Sequence, residues 1–206
     1  MAHAKRLSIF AKTKMNNRMK RIVLMLAVVL SVFFTMTACA KKNKNDAPQQ
    51  KGSKTLVAYF SATGTTENVA KMIAEATGGE LYKIQPEKEY SAADLDWTVP
   101  TSRSCKENDD PKSRPAFKKT KESLDGYDTI YLGFPNWWNG APRIINTFVE
   151  AYGLKGKKVI PVMTSGGSDI VNSEQTLKKL YPEVNWQKGR LLNDASQKDV
   201  DEWVKE

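Results

Sequence analysis

The chain has 206 residues, enough for one domain with appendages, and a formal net charge of +9 at pH 7. The charge is unevenly placed. Residues 1–21 hold seven Lys and Arg and no acid, and residues 39–54 hold five against Asp46. Residues 55–206 carry 20 basic and 22 acidic side chains, a net of −2, so the basic balance is no signature of a nucleic-acid partner for the domain. The one histidine, His3, and the two cysteines, Cys39 and Cys105, leave the domain no Ser-His-Asp triad, no histidine metal ligand and no cysteine metal cluster.

At the N-terminus, Lys20-Arg21 precede an apolar run from Ile22 to Phe34. Its 13 residues are fewer than the ~20 a membrane-spanning helix needs and suit a secretory signal. Met36-Thr37-Ala38-Cys39 resembles the box of bacterial lipoproteins. The resemblance implies a signal peptide over residues 1–38, cleavage before Cys39, lipid on its sulfur and an address on the extracytoplasmic side of the membrane. An uncleaved anchor or a buried cysteine is the alternative. The signal is complete from Met19 or Met15, so residues 1–18 read as an over-long start. Residues 39–54 are polar and lysine-rich without apolar periodicity, the composition of a flexible tether, and their lysines can also meet anionic lipid. With Cys39 lipidated, Cys105 has no disulfide partner in the chain.

From residue 55 the pattern alternates strand and helix, which argues for an α/β fold on a parallel sheet. The expected elements are a strand over 55–60, a helix over about 66–77 stopped by Gly78-Gly79, and a strand over 80–84. A third strand spans 129–134, apolar and β-branched or aromatic, as expected when both faces are covered. A helix then starts near Pro142 and buries Ile144, Ile145, Phe148, Val149 and Tyr152. A strand over 158–163, a helix over about 173–181, a strand within 185–192 and a helix over about 197–205, packing Val200, Trp203 and Val204, complete the domain. Pro161 sits inside a strand placed near the sheet centre, and calls for a bulge or an edge position. Residues 86–117 hold four prolines and no clear periodicity, the marks of an irregular insert, functional or disordered. Arg103, Arg114 and Asp94 within it read first as solvated loop charges and second as contacts to a partner or substrate.

Three loops follow strand ends and would meet in one crevice beyond the sheet. The first, Ser61-Ala62-Thr63-Gly64-Thr65-Thr66, joins a strand to a helix start. The unsatisfied N–H groups and dipole of that start favour an anion, and four hydroxyls with one glycine can wrap a phosphate with neutral donors. No Lys or Arg lies in the loop, so it is not the lysine loop of nucleoside triphosphate sites, and an ordinary N-cap is the plain alternative. The second, from Phe134 through Pro135, Asn136, Trp137 and Trp138 to Pro142, puts two adjacent indoles on a surface loop, where they can stack on a flat ring, pack back on the domain or anchor a partner. The third, Thr164-Ser165-Gly166-Gly167-Ser168, offers close backbone approach or a plain turn. Together they suit a flat ring carrying a monophosphate, and the G-x-G-x-x-G of dinucleotide sites is absent.

These loops resemble those of the flavodoxin family. Ser61–Thr66 matches its phosphate loop, Phe134–Trp138 its second flavin loop, and Thr164–Ser168 the third loop of a bacterial subgroup whose insert is also similar around 94–97, 102–104 and 109–111. The resemblance covers about residues 55–205. It implies a three-layer sandwich on a five-stranded parallel sheet of order 2-1-3-4-5, with FMN as cofactor. Ser61, Thr63, Thr65 and Thr66 would be its phosphate donors, Trp137 or Trp138 its stacking partner, and Asn136 with the Gly166-Gly167 amides the groups at its polar edge. The near-neutral charge and the insert depart from the strongly acidic soluble carriers of the family. Three functions follow from it: electron transfer at the bacterial envelope with a protein or small-molecule redox partner, NAD(P)H:quinone-type oxidoreduction, or a flavin-free binding module.

Overall fold

A computed structural model of the chain describes residues 54–206; the expected signal, tether and Cys39 lie outside the described residues. The described elements are β1 (Thr55–Tyr59), α1 (Thr65–Thr77), β2 (Glu80–Lys83), α2 (Arg103–Asp109), β3 (Thr129–Pro135), α3 (Arg143–Tyr152), β4 (Lys158–Thr164), α4 (Val171–Leu180), β5 (Asn185–Trp186), β6 (Arg190–Leu191) and α5 (Gln197–Trp203). All strand pairs are parallel, in the order β2-β1-β3-β4-β5 with β6 also on β4. This is the expected 2-1-3-4-5 order, with one difference: two short strands share the fifth position.

Pro161 accounts for the split. β4 runs unbroken against β3, from Thr129 opposite Lys158 to Pro135 opposite Thr164. On its other side the Val159 and Met163 carbonyls accept from the Gln187 and Leu192 N–H groups. Residues alternate sides along a strand, so Pro161 faces the same way, and its missing N–H falls where β5 ends and β6 has not begun. Neither a bulge in β4 nor an edge position is needed; the partner strand is interrupted instead. A Cβ at Gly189, within that interruption, would lie 2.6 Å from the Pro161 carbonyl oxygen and 2.8 Å from Ile170, so only glycine passes there.

The alternation of side chains divides the core between two faces. Leu56, Ala58 and Phe60 of the first strand region, Ile130, Leu132 and Phe134 of β3, and Val159 and Met163 of β4 pack with Ile144, Ile145, Phe148 and Val149 of α3 and Leu177 of α4. Val57, Tyr59, Tyr131, Ile160 and Val162 pack on the opposite face with Val69, Ala70 and Ile73 of α1 and Val200 of α5. Tyr152, Trp203 and Val204, expected among the packed residues, are half-buried at the margins. Burying large apolar side chains stabilises by roughly 1.5–3 kcal/mol each, so the two faces dominate the energetics. α1 ends at Gly78, whose φ of 64° closes the helix as its sequence predicts.

The insert is more ordered than its sequence indicates. It opens and closes on a bridge between Pro86 and Phe117 and carries the short helix α2, capped by the Ser102 hydroxyl. Phe117 enters the core beside Phe148. Arg114 grips Glu150 of α3 through two hydrogen bonds of 2.8 Å, and Arg143 donates to the Glu107 and Asn108 carbonyls. Side-chain pairs between distant segments do this work, and they leave no periodic trace in the sequence.

Candidate functional site

The loops after β1, β3 and β4 converge at the carboxyl end of the sheet, as the strand order requires. Phe60 continues β1, donating its N–H to the Gly133 carbonyl, and the chain then turns through the hydroxyl loop. Gly64 stands at a φ of 97°, a left-handed conformation that a residue with Cβ rarely adopts, and donates its N–H to Ser61 Oγ over 3.1 Å. α1 begins directly after it, and the Thr63 and Thr65 side chains are exposed at its start. Thr66 is 1% exposed, and its hydroxyl lies 2.8 Å from that of Thr164 at the end of β4. Gly133 makes room for this contact: a Cβ there would meet Thr66 Cγ2 at 3.3 Å and Tyr59 Cβ at 3.2 Å.

The β4 loop is closed by its own side chains. Ser165 Oγ accepts from the Gly167 and Ser168 N–H groups, and Asn193, after β6, brackets Ser165 by accepting its N–H and donating to its carbonyl. Thr63, Thr65, Thr66, Pro135, Asn136, Thr164, Ser165 and Gly166 line one cleft of about 470 Å³, joined by Asn193 and Asp194. Of the predicted site residues, Ser61, Gly64, Trp137, Trp138, Gly167 and Ser168 stand beside this cleft in sequence without lining it. Asn193 and Asp194 were not foreseen. They follow a strand end, and that position was the available signal.

The β3 loop turns tightly at its tip. Trp137 and Gly140 exchange two N–H···O=C hydrogen bonds of 2.9 Å, with Trp138 and Asn139 between them at φ 46° and 59°. Two left-handed residues in a two-residue turn define type I′, where Asn and Gly are favoured and tryptophan is costly. Asn172 of α4 supports the tip by donating to the Asn139 carbonyl. The two indoles differ in surroundings. Trp137 is half-buried, edge-on to Phe60 and Tyr90 at centroid distances of 5.5 Å. Trp138 is 43% exposed.

Trp137 is braced from the insert. Tyr90 donates to Glu107 Oε2, Arg103 Nε donates to Glu107 Oε1 at 2.6 Å, and the Arg103 guanidinium lies 3.9 Å from the Tyr90 ring centroid. Burial first, then the Glu107 carboxylate, push the Tyr90 phenol well above its usual range, so it stays a donor. Asp94 accepts from Ser91 N–H and Oγ, which holds its carboxyl below the ordinary value, and Arg114 is committed to Glu150. The insert charges therefore serve local structure: Arg103 is a half-buried ion-pair member and not a solvated loop charge, and neither of the two readings contains its bond to Glu107 or that of Arg114 to Glu150.

The cleft fits a phosphate-bearing flat ring on three observations. It presents neutral hydroxyls at a helix start, where an anion is favoured. A Cβ added at Gly64, Gly166 or Gly167 would meet no protein atom, so these loops face open space. Asn136 Oδ1 is the one buried side-chain oxygen or nitrogen among the described residues without a hydrogen-bond partner, in a residue that lines the cleft. Such an unpaired group costs roughly 1–3 kcal/mol and calls for a functional explanation. Among the described residues no cluster of His, Cys, Asp and Glu could hold a metal ion.

A flavodoxin family model matches residues 54–206, and the chain belongs to the flavodoxin family. A solved structure from Bacteroides uniformis ATCC 8492, assigned as a flavoprotein, is 59% identical, with 75% of this chain and 99% of that one covered at a TM-score of 0.73. One from Bacteroides eggerthii DSM 20697, likewise assigned, is 54% identical over 74% and 96% of the two chains, at 0.72. A flavoprotein in complex with FMN from Lactobacillus acidophilus NCFM shares the fold at 21% identity, over 74% and 99%, at 0.59. No curated protein matches the chain.

Proposed function

We propose that this protein is an FMN flavoprotein that transfers electrons at the bacterial cell envelope, held there by lipid on Cys39. FMN is its cofactor, as the family and the fit of the cleft support. The observation that carries the reading is the meeting of the hydroxyl turn, the Asn136 loop and the Ser165-Gly166 loop in one cleft at the carboxyl end of a doubly wound sheet. The exposed Thr63 and Thr65 hydroxyls with the α1 N-terminus would hold the phosphate, and Asn136 with the Gly166 amide the polar edge of the ring; the Gly167 N–H is taken by Ser165 Oγ. When bound, the flavin supplies one- or two-electron chemistry; the protein supplies position and electrostatics.

This chain's own contribution is a nearly uncharged surround. Of the described residues lining the cleft, Asp194 is the one acidic side chain, and no Lys, Arg or His lines it to favour an anionic ring. No side chain is required as general acid. The tether and Cys39 supply the envelope address, on the resemblance of Met36–Cys39 to a lipoprotein box.

The test has two parts. Cell fractionation of Cys39→Ala should find the protein released from membranes with its FMN content unchanged; continued tight membrane association would overturn the lipid anchor. Anaerobic reductive titration of the FMN-loaded protein should resolve two one-electron steps. A single two-electron step, with rapid NAD(P)H oxidation, would favour an oxidoreductase over a carrier.

A further inference from the structure

A groove of about 550 Å³ lies beside α5, on the face of the sheet that carries Tyr131 and Ile160. One wall is the segment 187–191, which leaves β5 and returns as β6 around the break that Pro161 imposes. The groove shares no residue with the hydroxyl cleft. Lys158 and Ile160, in the first half of β4, line it, whereas Thr164 at the end of that strand lines the cleft. We propose that the groove is a binding site for a small amphipathic carboxylate, an anion carried on a flat ring or a short acyl chain.

The first observation is the Tyr131 phenol. Its residue stands on the central strand β3 and is 9% exposed, and its hydroxyl bonds to no group among the described residues. The oxygen is not sealed, because Asn136 Oδ1 alone is both buried and unpaired; the Tyr131 hydroxyl therefore opens on the groove its residue lines. Three other tyrosines of the domain donate to a carboxylate: Tyr90 to Glu107, Tyr127 to Glu80 and Tyr181 to Glu150. Burial raises the Tyr131 phenol above its ordinary value of 10.0, so it stands ready as a donor at neutral pH. An open donor in so enclosed a place is satisfied by water or by a ligand oxygen, and the charge around it selects between them.

The second is that charge. Lys158, Lys188 and Arg190 line the groove, against Glu206 as its one acid. Lys158 and Lys188 form no ion pair among the described residues, and Arg190 meets Glu206 at 3.3 Å with both side chains exposed. Residues 55–206 are net negative, so this is a local excess of cations in an otherwise slightly acidic domain. Such an excess over a partly enclosed wall draws and holds an anion.

The third is the apolar surface in the same groove. Ile160, Val204 and the Trp203 indole line it, with Trp203 edge-on to Tyr131 at 5.6 Å and the Arg190 guanidinium 5.8 Å from the indole centroid. An apolar body laid there leaves water while its carboxylate meets the phenol and the lysines. The volume falls within the ~300–1,000 Å³ of small-molecule sites. Inorganic phosphate carries the charge but has nothing to lay on Ile160 and Trp203, and a neutral ring offers nothing to Lys158 and Lys188.

The experiment is a calorimetric titration of the full chain with 2-naphthoate, a flat ring bearing one carboxylate. Wild type should bind it saturably, one per chain. Tyr131→Phe removes the hydroxyl alone and should weaken binding by about tenfold, the loss expected for one hydrogen bond to a charged group. Lys158→Gln with Lys188→Gln should weaken it by about as much. Both variants should keep the wild-type melting temperature, since the phenol has no protein partner to lose and both lysines are exposed. No saturable binding, or wild-type affinity in either variant, overturns the proposal. Equal affinity for the neutral 2-naphthamide also overturns it, because the groove would then select an apolar body without its charge. Displacement of 2-naphthoate by inorganic phosphate at equal concentration overturns it too, because the groove would then be a site for bare anions.

Discussion

The Thr66 and Thr164 hydroxyls are 2.8 Å apart in a buried hydrogen bond that joins the first turn of α1 to the last residue of β4. The two residues are 98 positions apart in sequence, yet each adjoins a loop that lines the hydroxyl cleft. The bond fixes the spacing of those loops before any ligand arrives. Thr66 thus has a structural partner for its side chain, while Thr63 and Thr65 keep theirs at the surface.

Thr66→Val keeps the shape and removes the hydroxyl, leaving Thr164 Oγ1 buried without its partner. Denaturant unfolding of the flavin-free protein should show a loss of about 1–3 kcal/mol, and the double variant Thr66→Val with Thr164→Val should regain part of it. A single variant as stable as wild type would remove this bond from the account.

Thr63→Ala with Thr65→Ala should act on the ligand and spare the fold. Both side chains are exposed, so stability should stay within about 0.5 kcal/mol of wild type. FMN affinity, read from flavin fluorescence quenching, should fall by about tenfold or more for two lost hydrogen bonds to a charged group. Unchanged affinity would contradict the phosphate assignment.

Gly189→Ala places a Cβ 2.6 Å from the Pro161 carbonyl oxygen and 2.8 Å from Ile170 Cδ1. The carbonyl belongs to a central strand and cannot step aside. Destabilisation of about 1–3 kcal/mol, the range for overpacking, should appear as a lower melting temperature. A wild-type melt would mean that the break between β5 and β6 is looser than described.

Stability should depend on pH at both ends of the scale. Hydrogen bonds from Arg114 and Lys121 hold Glu150 and Glu80 below the ordinary glutamate value of 4.5. A depressed folded value adds stability that is present above 4.5 and lost as pH falls through the folded value. Burial, then Glu150, pushes the Tyr181 phenol from 10.0 up to about 12. That contribution is present below pH 10 and lost as pH rises towards 12. Unfolding free energy should be flat from about pH 6 to 8, fall in acid, and fall less steeply in Arg114→Gln. An acid limb identical in Arg114→Gln would remove the Glu150 pair as a cause.

The strands, the helices flanking them and the three loops were legible because each has a local sign: continuous apolar runs, a glycine stop, a hydroxyl turn before a helical period. The sheet order has no such sign and came only with the family resemblance those loops carry. The split of the fifth strand was not, because it follows from the N–H that Pro161 lacks on the side of β4 facing β5 and β6, which only the assembled ladder reveals. The insert was opaque for the same reason. Arg114 finds Glu150 and Tyr90 finds Glu107 and Trp137 across gaps in sequence, and no period marks them. Asn193 follows the end of the expected strand within 185–192, but it has no motif of its own, and its bonds to Ser165 appear only when the chain is folded.

The central claim is that the hydroxyl cleft holds FMN, and an absorption spectrum of the purified protein before and after addition of FMN tests it most directly. The account predicts flavin bands on the protein with quenched flavin fluorescence, at one FMN per chain. A colourless protein that leaves added FMN fully fluorescent would contradict it.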